Sequence, residues 1–523
     1  MTTEKHADTD LDTDLATLTS KGLIKRAAEL PELEYLFRHA LVQDAAYGSL
    51  LKQERRELHG LVGEALEELY PDRTGELAPV LAMHFEQAGE TDKAIDYFAA
   101  GGQHALQQNA IQEAYGAFDQ ASGLLARTPA PAPGAPAESP LRQRRRIEIK
   151  LGRAQAGYSF LSPDQAFDSV EEIVAEAEEL GDLELLARVH ALIALGLMQS
   201  GVQPTEPRVA RSLARIEEIG IALGDPGIRA MPLAFVGLSQ VFAGPVREGV
   251  AALEKAVPLM QDQKDSIGAA FARGGLAMGY ATLGEFDKAD AAAANAKELA
   301  KEGDLIAQLD ALIAESMVRA QQGRLDLAVP LARECVDRAE STGASACVLA
   351  SSWILGDALH RLGKFADARD VLRRGADVAL MVDRYVWRPT LQAWLRSAAA
   401  ALGEVEEGDV DEALATARSI GNELGEAGIL GKRAEAAASR SEFDSALADY
   451  AATAAIFEAQ GARPSLARVL QGWGETLRRA GRDAEATATL ERAAALFDEL
   501  GLTREAGAVR TSITLGSTKL AFN

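Results

Sequence analysis

Apolar residues recur along most of this chain at intervals of three and four, the spacing that lines one face of an α-helix. Residues 282–304, TLGEFDKADAAAANAKELAKEGD, put Ala289, Ala293 and Ala296 on one stripe and acidic and basic residues on the other face. The stripes are short and are cut at regular places by one punctuation mark: Gly or Ser, four residues, then Ala. It appears as Gly284-EFDK-Ala289, Gly323-RLDL-Ala328, Gly363-KFAD-Ala368, Gly408-DVDE-Ala413, Ser441-EFDS-Ala446 and Gly481-RDAE-Ala486. The intervals between first residues are 39, 40, 45, 33 and 40, and a weaker member, Gly244-PVRE-Gly249, lies 40 residues upstream of Gly284. A second mark keeps a similar period: Leu180-Gly181-Asp182, Leu223-Gly224-Asp225, Glu302-Gly303-Asp304, Leu424-Gly425, Gln460-Gly461 and Leu500-Gly501.

Each mark has a physical task. The first Gly ends a helix in a left-handed cap. The Ala five residues on opens the buried face of a second helix, where a larger side chain would force the pair apart. The later Gly ends that second helix, and an Asp after it can cap the next. Two independent marks at one period of about 40 residues predict an all-α chain, a solenoid of helical hairpins.

The N-terminal part is patterned differently. Residues 1–14 read as a disordered, acidic tail. Leu15–Lys25 reads as a helix ending at Gly22, Tyr35-Leu-Phe37-Arg-His39 alternates like a short strand, and 40–51 and 53–70 read as two helices. Residues 15–70 form a junction segment, 71–127 hold the first repeat-like helices, and 141–510 the main array, followed by a tail at 511–523. The stretch 128–140, TPAPAPGAPAESP, alternates Pro with Ala, which forbids helix and favours an extended linker.

Composition narrows the functional classes. With 54 Lys and Arg against 78 Asp and Glu, the net charge of −24 repels phosphate backbones and anionic lipid, which argues against nucleic acid and membranes as partners. Apolar residues make up 47% and aromatics only 5%, a balance of small side chains that suits closely stacked helices. There is neither a signal-peptide pattern nor an apolar run of the length of a membrane span, so a cytoplasmic location is expected. Cys335 and Cys347 read as small buried hydrophobes.

The repeat resembles the tetratricopeptide family. Leu276-Ala277, Tyr280, Gly284, Ala289 and Ala296 fit its pattern, as do Leu355-Gly356, Leu359, Gly363 and Ala368, and Trp473-Gly474, Leu477, Gly481, Ala486 and Ala493. Leu81-Ala82, Phe85, Gly89, Ala94 and Phe98 make one more unit. The segment YLFRHALVQDAAYGSLLKQERRELHGLVGEALEELYP (35–71) resembles a junction in bacterial STAND-type signalling ATPases, some linked to class III nucleotide cyclases. There it follows a winged-helix-like segment and precedes a tetratricopeptide array. The resemblance implies a tetratricopeptide-like α-solenoid with a small winged-helix-like remnant at the N-terminus. It also implies a protein or peptide partner held in the solenoid groove, with an ATPase or nucleotide cyclase as a further partner. The family's groove positions, carried onto this sequence, are Phe271, Met278, Ile313, Met317, Trp353 and His360. The same residues, at helical spacing, also suit plain helix packing. The Lys/Asn clamp that some members use for a terminal carboxylate is not visible.

Catalytic signatures are missing from the sequence. Gly428-Ile-Leu-Gly431-Lys432-Arg433 has the wrong spacing and no hydroxyl residue for a phosphate loop. No H-E-x-x-H, C-x-x-C or G-x-S-x-G occurs. His39 and His59 read as packing residues in the junction, and Arg144-Arg145-Arg146 as a solvated face. The reading is a non-catalytic interaction scaffold without cofactor or metal, the sensor or docking arm of a STAND-like system. The alternatives are the C-terminal fragment of a larger cyclase or ATPase, and a transcriptional regulator using its winged-helix-like segment.

Overall fold

The computed structural model describes residues 7–28, 34–108, 110–127, 139–157, 161, 170–199, 203–263, 265–301, 303, 305–381, 387–406 and 410–520. The chain forms two compact units, residues 1–108 with 116–130, and residues 109–115 with 131–523.

The first unit opens with α1 (Ala7–Ser20), which ends in Gly22 at φ +69°. This helix therefore begins inside the segment expected to be a tail, of which residues 1–6 lie outside the described residues. An antiparallel hairpin follows, β1 (Ile24–Ala28) against β2 (Glu34–Phe37), with Ile24 opposite Phe37 and Arg26 opposite Tyr35. The second of these strands matches the alternation read at 35–39; the first, IKRAA, has none. Then come α2 (Ala40–Ser49), α3 (Lys52–Leu69), α4 (Thr74–Ala88), α5 (Thr91–Gln107) and α6 (Ile111–Arg127). Leu81, Ala82, Phe85 and Ala94 carry no exposed surface, as a repeat unit requires. Phe85 stacks on Tyr97 at 5.5 Å and fills the space over Gly63, where a Cβ would sit 2.8 Å from the ring. Tyr97 donates to Glu67 at 2.5 Å, and Lys93 adds a second bond to the same carboxylate.

The second unit is an array of helices: α7 (Pro140–Gly157), α8 (Val170–Leu180), α9 (Leu183–Gln199), α10 (Pro207–Leu223), α11 (Ala230–Ala243), α12 (Val246–Asp262), α13 (Ser266–Leu283), α14 (Phe286–Ala300), α15 (Leu305–Gln321) and α16 (Leu325–Thr342). It continues with α17 (Ser345–Arg361), α18 (Phe365–Met381), α19 (Trp387–Ala401), α20 (Val410–Ser419), α21 (Glu423–Ser439), α22 (Phe443–Ala459), α23 (Arg463–Arg479), α24 (Asp483–Glu499) and α25 (Thr503–Leu520). Consecutive helices pair, as do alternate ones, which is the tetratricopeptide-like α-solenoid. Of the expected Pro/Ala linker, 128–138 lie outside the described residues, and Pro140 is the first residue of α7, where its missing N–H costs nothing. At the other end α25 runs through 511–520, a stretch expected to be tail.

The punctuation does its work. Gly284, Gly323, Gly363, Ser441 and Gly481 are all left-handed, as are Gly181, Gly224, Gly461 and Gly501. The six alanines five residues after the first mark are all buried. Gly303 stands between two residues outside the described ones, and three further marks depart from expectation. Gly244 is extended, at φ 166°. Gly408 lies outside the described residues, and the left-handed turn after α19 falls at Gly403 instead. Gly425 ends no helix: the turn is at Gly421, and Gly425 sits in the first turn of α21, its N–H held by the Asn422 side chain at 2.8 Å.

The array also closes on itself. Helix α11 packs against α21, and α13 against α23, each ten helices further along. Gly284 lies against Leu500 and Pro464, and Gly461 against Leu283 and Arg247. Arg468 of α23 donates to the backbone carbonyl of Gln321 at 2.5 Å and to its side chain at 2.6 Å, at the C-terminus of α15. A cation over the exposed carbonyls of a helix end is the favourable sign for the helix dipole.

Candidate functional site

Closure curves the concave side of the array around a half-open pocket. Helices α11, α13, α15, α17, α19, α21 and α23, with Tyr450 and Phe457 of α22, line a cavity of about 240 Å³. Its apolar wall is built from Trp353, Trp387, Trp394, Phe242 and Met317. Trp353 stands at the centre, 6.2 Å from Trp387 and edge-on to Trp394 at 6.0 Å, and Phe242 packs edge-on to Trp387 at 5.9 Å. Edge-to-face packing satisfies the ring quadrupoles and holds the indoles in place.

The polar wall faces them. Asp357 accepts the indole N–H of Trp394 at 2.9 Å, with Lys432 and Arg361 each 3.7 Å away. Burial alone would raise the Asp357 carboxyl; Lys432 and Arg361 outweigh it and hold the group at about 2. Lys432 pairs with Glu435 at 3.0 Å and lies 5.4 Å from the Trp394 ring centroid, a cation–π distance. Glu435 also accepts from Ser397 at 2.9 Å, and Ser397 in turn meets His360 Nε2 at 3.1 Å. Burial against Lys432 keeps the His360 pKa below its usual value, although Glu435 and Asp357 pull the other way.

Two donors in this wall have no partner. The Arg468 Nε–H and the Trp353 Nε1–H are both buried and unbonded. Desolvation, with Arg361 close by, works against the Arg468 charge, yet a guanidinium does not give up its proton. The cavity lining holds three cations (Arg361, Lys432, Arg468) and two carboxylates (Asp357, Glu435), and Glu505 lies close enough to Arg468 to favour its charge.

Of the six expected groove residues, Met317 and Trp353 line the cavity together. His360 lies behind its wall, bonded to Ser397. Met278 and Ile313 are buried in the core of the array, and Phe271 stacks on Phe235 at 4.6 Å. Sequence reading missed Trp387, Trp394, Lys432, Glu435 and Arg468. A signal existed for Trp394, which follows Trp353 by 41 positions, one period. The segment rejected as a phosphate loop lies in mid-helix α21, with Gly428 against the Trp394 ring and Lys432 turned into the cavity. Arg144 and Arg146 reach acids of the neighbouring helices, Asp182 at 2.6 Å and Glu176 at 3.4 Å. Cys335 and Cys347 are buried and unpaired. Among the described residues, no group of three or more His, Cys, Asp or Glu could hold a metal ion, and no helix is long and apolar enough to cross a membrane.

No protein-family model matches the chain. An uncharacterised protein of Rhizobium meliloti (strain 1021) is 30% identical over 98 residues, which is 19% of this chain; the chain thus spans about a tenth of the length of that curated relative, 10%. Among solved structures, the chain is similar to a Rap protein complexed with Competence and Sporulation Factor, at 15% identity over 72% of this chain and 98% of that one, with a TM-score of 0.41. It is similar to the APC/C hetero-tetramer Cut9–Hcn1 at 12% identity, over 92% and 93%, with a TM-score of 0.45. A STAND protein with a tetratricopeptide repeat sensor from Pyrococcus horikoshii matches at 13% identity, over 91% of this chain and 60% of that one, with a TM-score of 0.34.

Proposed function

We propose that this chain is a non-catalytic docking scaffold, the sensor arm of a STAND-like signalling ATPase or nucleotide cyclase system. The observation that carries the reading is the half-open inner pocket of the array, where rigid indoles and a flexible Met meet a charged wall. Surfaces of that make-up recognise ligands and partner segments.

The first unit supports the arm reading separately. Helix α2 has no buried residue. Leu36, Phe37, Leu41, Leu51, Leu58 and Leu61 all remain exposed along β2, α2 and α3. A run of large apolar side chains left in water marks a face that another protein covers. These residues fall in the stretch that resembles the STAND junction. The Rhizobium relative adds that a segment like part of this chain sits within a far longer protein.

The test is enzymatic. The purified chain is titrated into an ATPase or nucleotide cyclase that co-purifies with it from its source cells, and turnover is measured. The reading expects a saturable change in rate, lost when Leu58→Glu and Leu61→Glu are combined. It also expects Trp353→Ala with Met317→Ala to change the response to partner or signal while circular dichroism stays the same. A rate that is indifferent to the chain at saturating concentration, with no complex on a sizing column, refutes it.

A further inference from the structure

The second unit winds far enough for its two edges to meet along a line that neighbour packing does not provide. Gly244 lies against Glu423, Gly284 against Pro464 and Gly323 against Glu505, which are 179, 180 and 182 residues further along. The offset is nearly constant, so these are corresponding turns of one winding and the next. The line is held lightly. Successive helices pack along their lengths, whereas α11 meets α21 and α13 meets α23 over a short stretch. The other ties are side-chain tips on turn glycines, Phe286 against the apolar cluster of Leu466 and Leu500, and Arg468 on the end of α15.

The glycines mark the line. Gly284, Gly323, Gly363 and Gly481 all take the left-handed turn. The first two are crowded: a Cβ on Gly284 would lie 2.2 Å from Leu500 Cδ2, and one on Gly323 would run into the Glu505 carboxylate. At Gly363 and Gly481 the same space is open. Closure also carries a cost. The Arg468 Nε–H is buried without a partner. A buried unbonded donor costs about 1–3 kcal/mol, and parting the edges returns it to water. Light contact against a standing cost keeps the closed and open forms close in free energy.

The pocket is built across the same line. Phe242, Thr282 and Met317 reach it from one edge, and Phe457, Ser465 and Arg468 from the other. Parting the edges therefore takes the pocket apart while every hairpin stays intact.

We propose that this line is a releasable seam: the array opens and closes there with its hairpins folded, and the pocket is complete in the closed form alone. An occupant that touches both edges binds the closed form better and shifts the population toward it. The proposal deepens the sensor reading by naming the movement that an occupant controls, and rests on that reading for its biological meaning only. It is tested on the full chain alone, so loss of the ATPase or cyclase partner does not touch it.

Two double variants are compared. Gly284→Asn with Gly461→Asn puts bulk into the seam, where Gly461 faces Leu283 and Arg247; Gly363→Asn with Gly481→Asn is the control, at open turns. All four positions are left-handed, which Asn tolerates, so backbone strain is alike in the two pairs. Nitroxide labels on Lys255→Cys and Glu491→Cys, exposed in α12 and α24, read the gap by pulsed electron resonance, while the buried Cys335 and Cys347 stay unlabelled. Acrylamide quenching reads the pocket, because three of the four tryptophans line it. The seam pair should lengthen the label distance by about 10 Å, one helix diameter. It should also be quenched at least about twofold more readily than the control, with unchanged circular dichroism. A seam pair that matches the control in both readouts overturns the proposal, because curvature then comes from neighbour packing alone. Should the seam pair lose helix, Phe286→Ser decides, since it removes a tie instead of adding bulk. The same two changes with helix retained support the seam; their absence, or a loss of helix there too, overturns it.

Discussion

Gly356 and Gly474 occupy the same place in two repeats, and the residue sixteen positions on is Leu372 in one and Leu490 in the other. In the repeat of Ala277 that later residue is Ala293. The two helices of a hairpin thus approach by trading volume, Gly against Leu or Ala against Ala. A Cβ placed on Gly356 would come within 2.9 Å of three outer carbons of Leu372, which is fully buried. Gly356→Ala gains about 1 kcal/mol of helix propensity. It then forces the methyl into a side chain that cannot retreat, at about 1–3 kcal/mol. The net expectation is a loss of about 0–2 kcal/mol. Leu372→Ala alone opens a cavity and loses about 3 kcal/mol. In the double variant the new methyl fills part of that cavity and the propensity gain returns, so the total loss is about 1–2 kcal/mol rather than the sum of about 3–5. The coupling is therefore about 2–3 kcal/mol. Urea unfolding followed by tryptophan fluorescence measures it, since Trp353 lies on the helix of Gly356 and Trp394 on the next helix after that of Leu372, and repeat arrays report locally. Gly507→Ala, exposed in α25 with nothing near its would-be Cβ, is the control and should gain about 0.5–1 kcal/mol. Single and double variants that add within about 0.5 kcal/mol would refute the volume trade.

Three further outcomes follow from the same structure. Ser441, at φ 64°, carries a Cβ in the left-handed region that its counterparts fill with Gly; Ser441→Gly should raise stability by about 1 kcal/mol in the same urea assay. Cys335, its thiol pushed by burial to about 12, and Cys347, also raised by burial, should both stay unreactive to a thiol reagent at pH 8 and react once urea unfolds the array. His190 and His360 have pKa values held below 6.5, mainly by burial, so their neutral forms stabilise the fold above pH 6.5 and that stability is lost as pH falls through the folded values. Melting temperature should therefore drop between pH 7.5 and pH 5.5, with a smaller drop when both are replaced by Gln; Asp357, depressed from 3.8 to about 2, adds a second loss only below about pH 4.

The array was legible because its marks are local. A left-handed cap at Gly284 or Gly481 is decided by a few residues of backbone, and a buried Ala289 or Ala486 by the helix it faces. The mark at Gly425 misled because a Leu-Gly pair reads alike at the end of a helix and in its first turn; the Asn422 side chain decides between them, by taking the Gly425 N–H. Strand β1 was hidden for a different reason. Its residues IKRAA carry no alternation, and its pairing comes from β2 across the hairpin. In the cavity, Met317 and Trp353 were reachable by carrying repeat positions forward. Asp357 and Arg361 follow Trp353 by one and two helical turns and share its face.

Arg468 shows what no local pattern contains. It meets Gln321 across 147 residues of chain, and only the closure of the superhelix brings them together. An array of identical hairpins has no reason to bury a guanidinium, since its stability comes from neighbour packing. Burying one is worthwhile where the geometry repays the desolvation, and here the repayment is incomplete: one Nη atom caps the α15 carbonyls and the other meets the Gln321 side chain, while Nε is left over. A residue serving closure alone could be replaced by an apolar one of similar volume without loss. The leftover Arg468 Nε–H and Trp353 indole N–H are sealed from water, so each remains a cost that the closure carries.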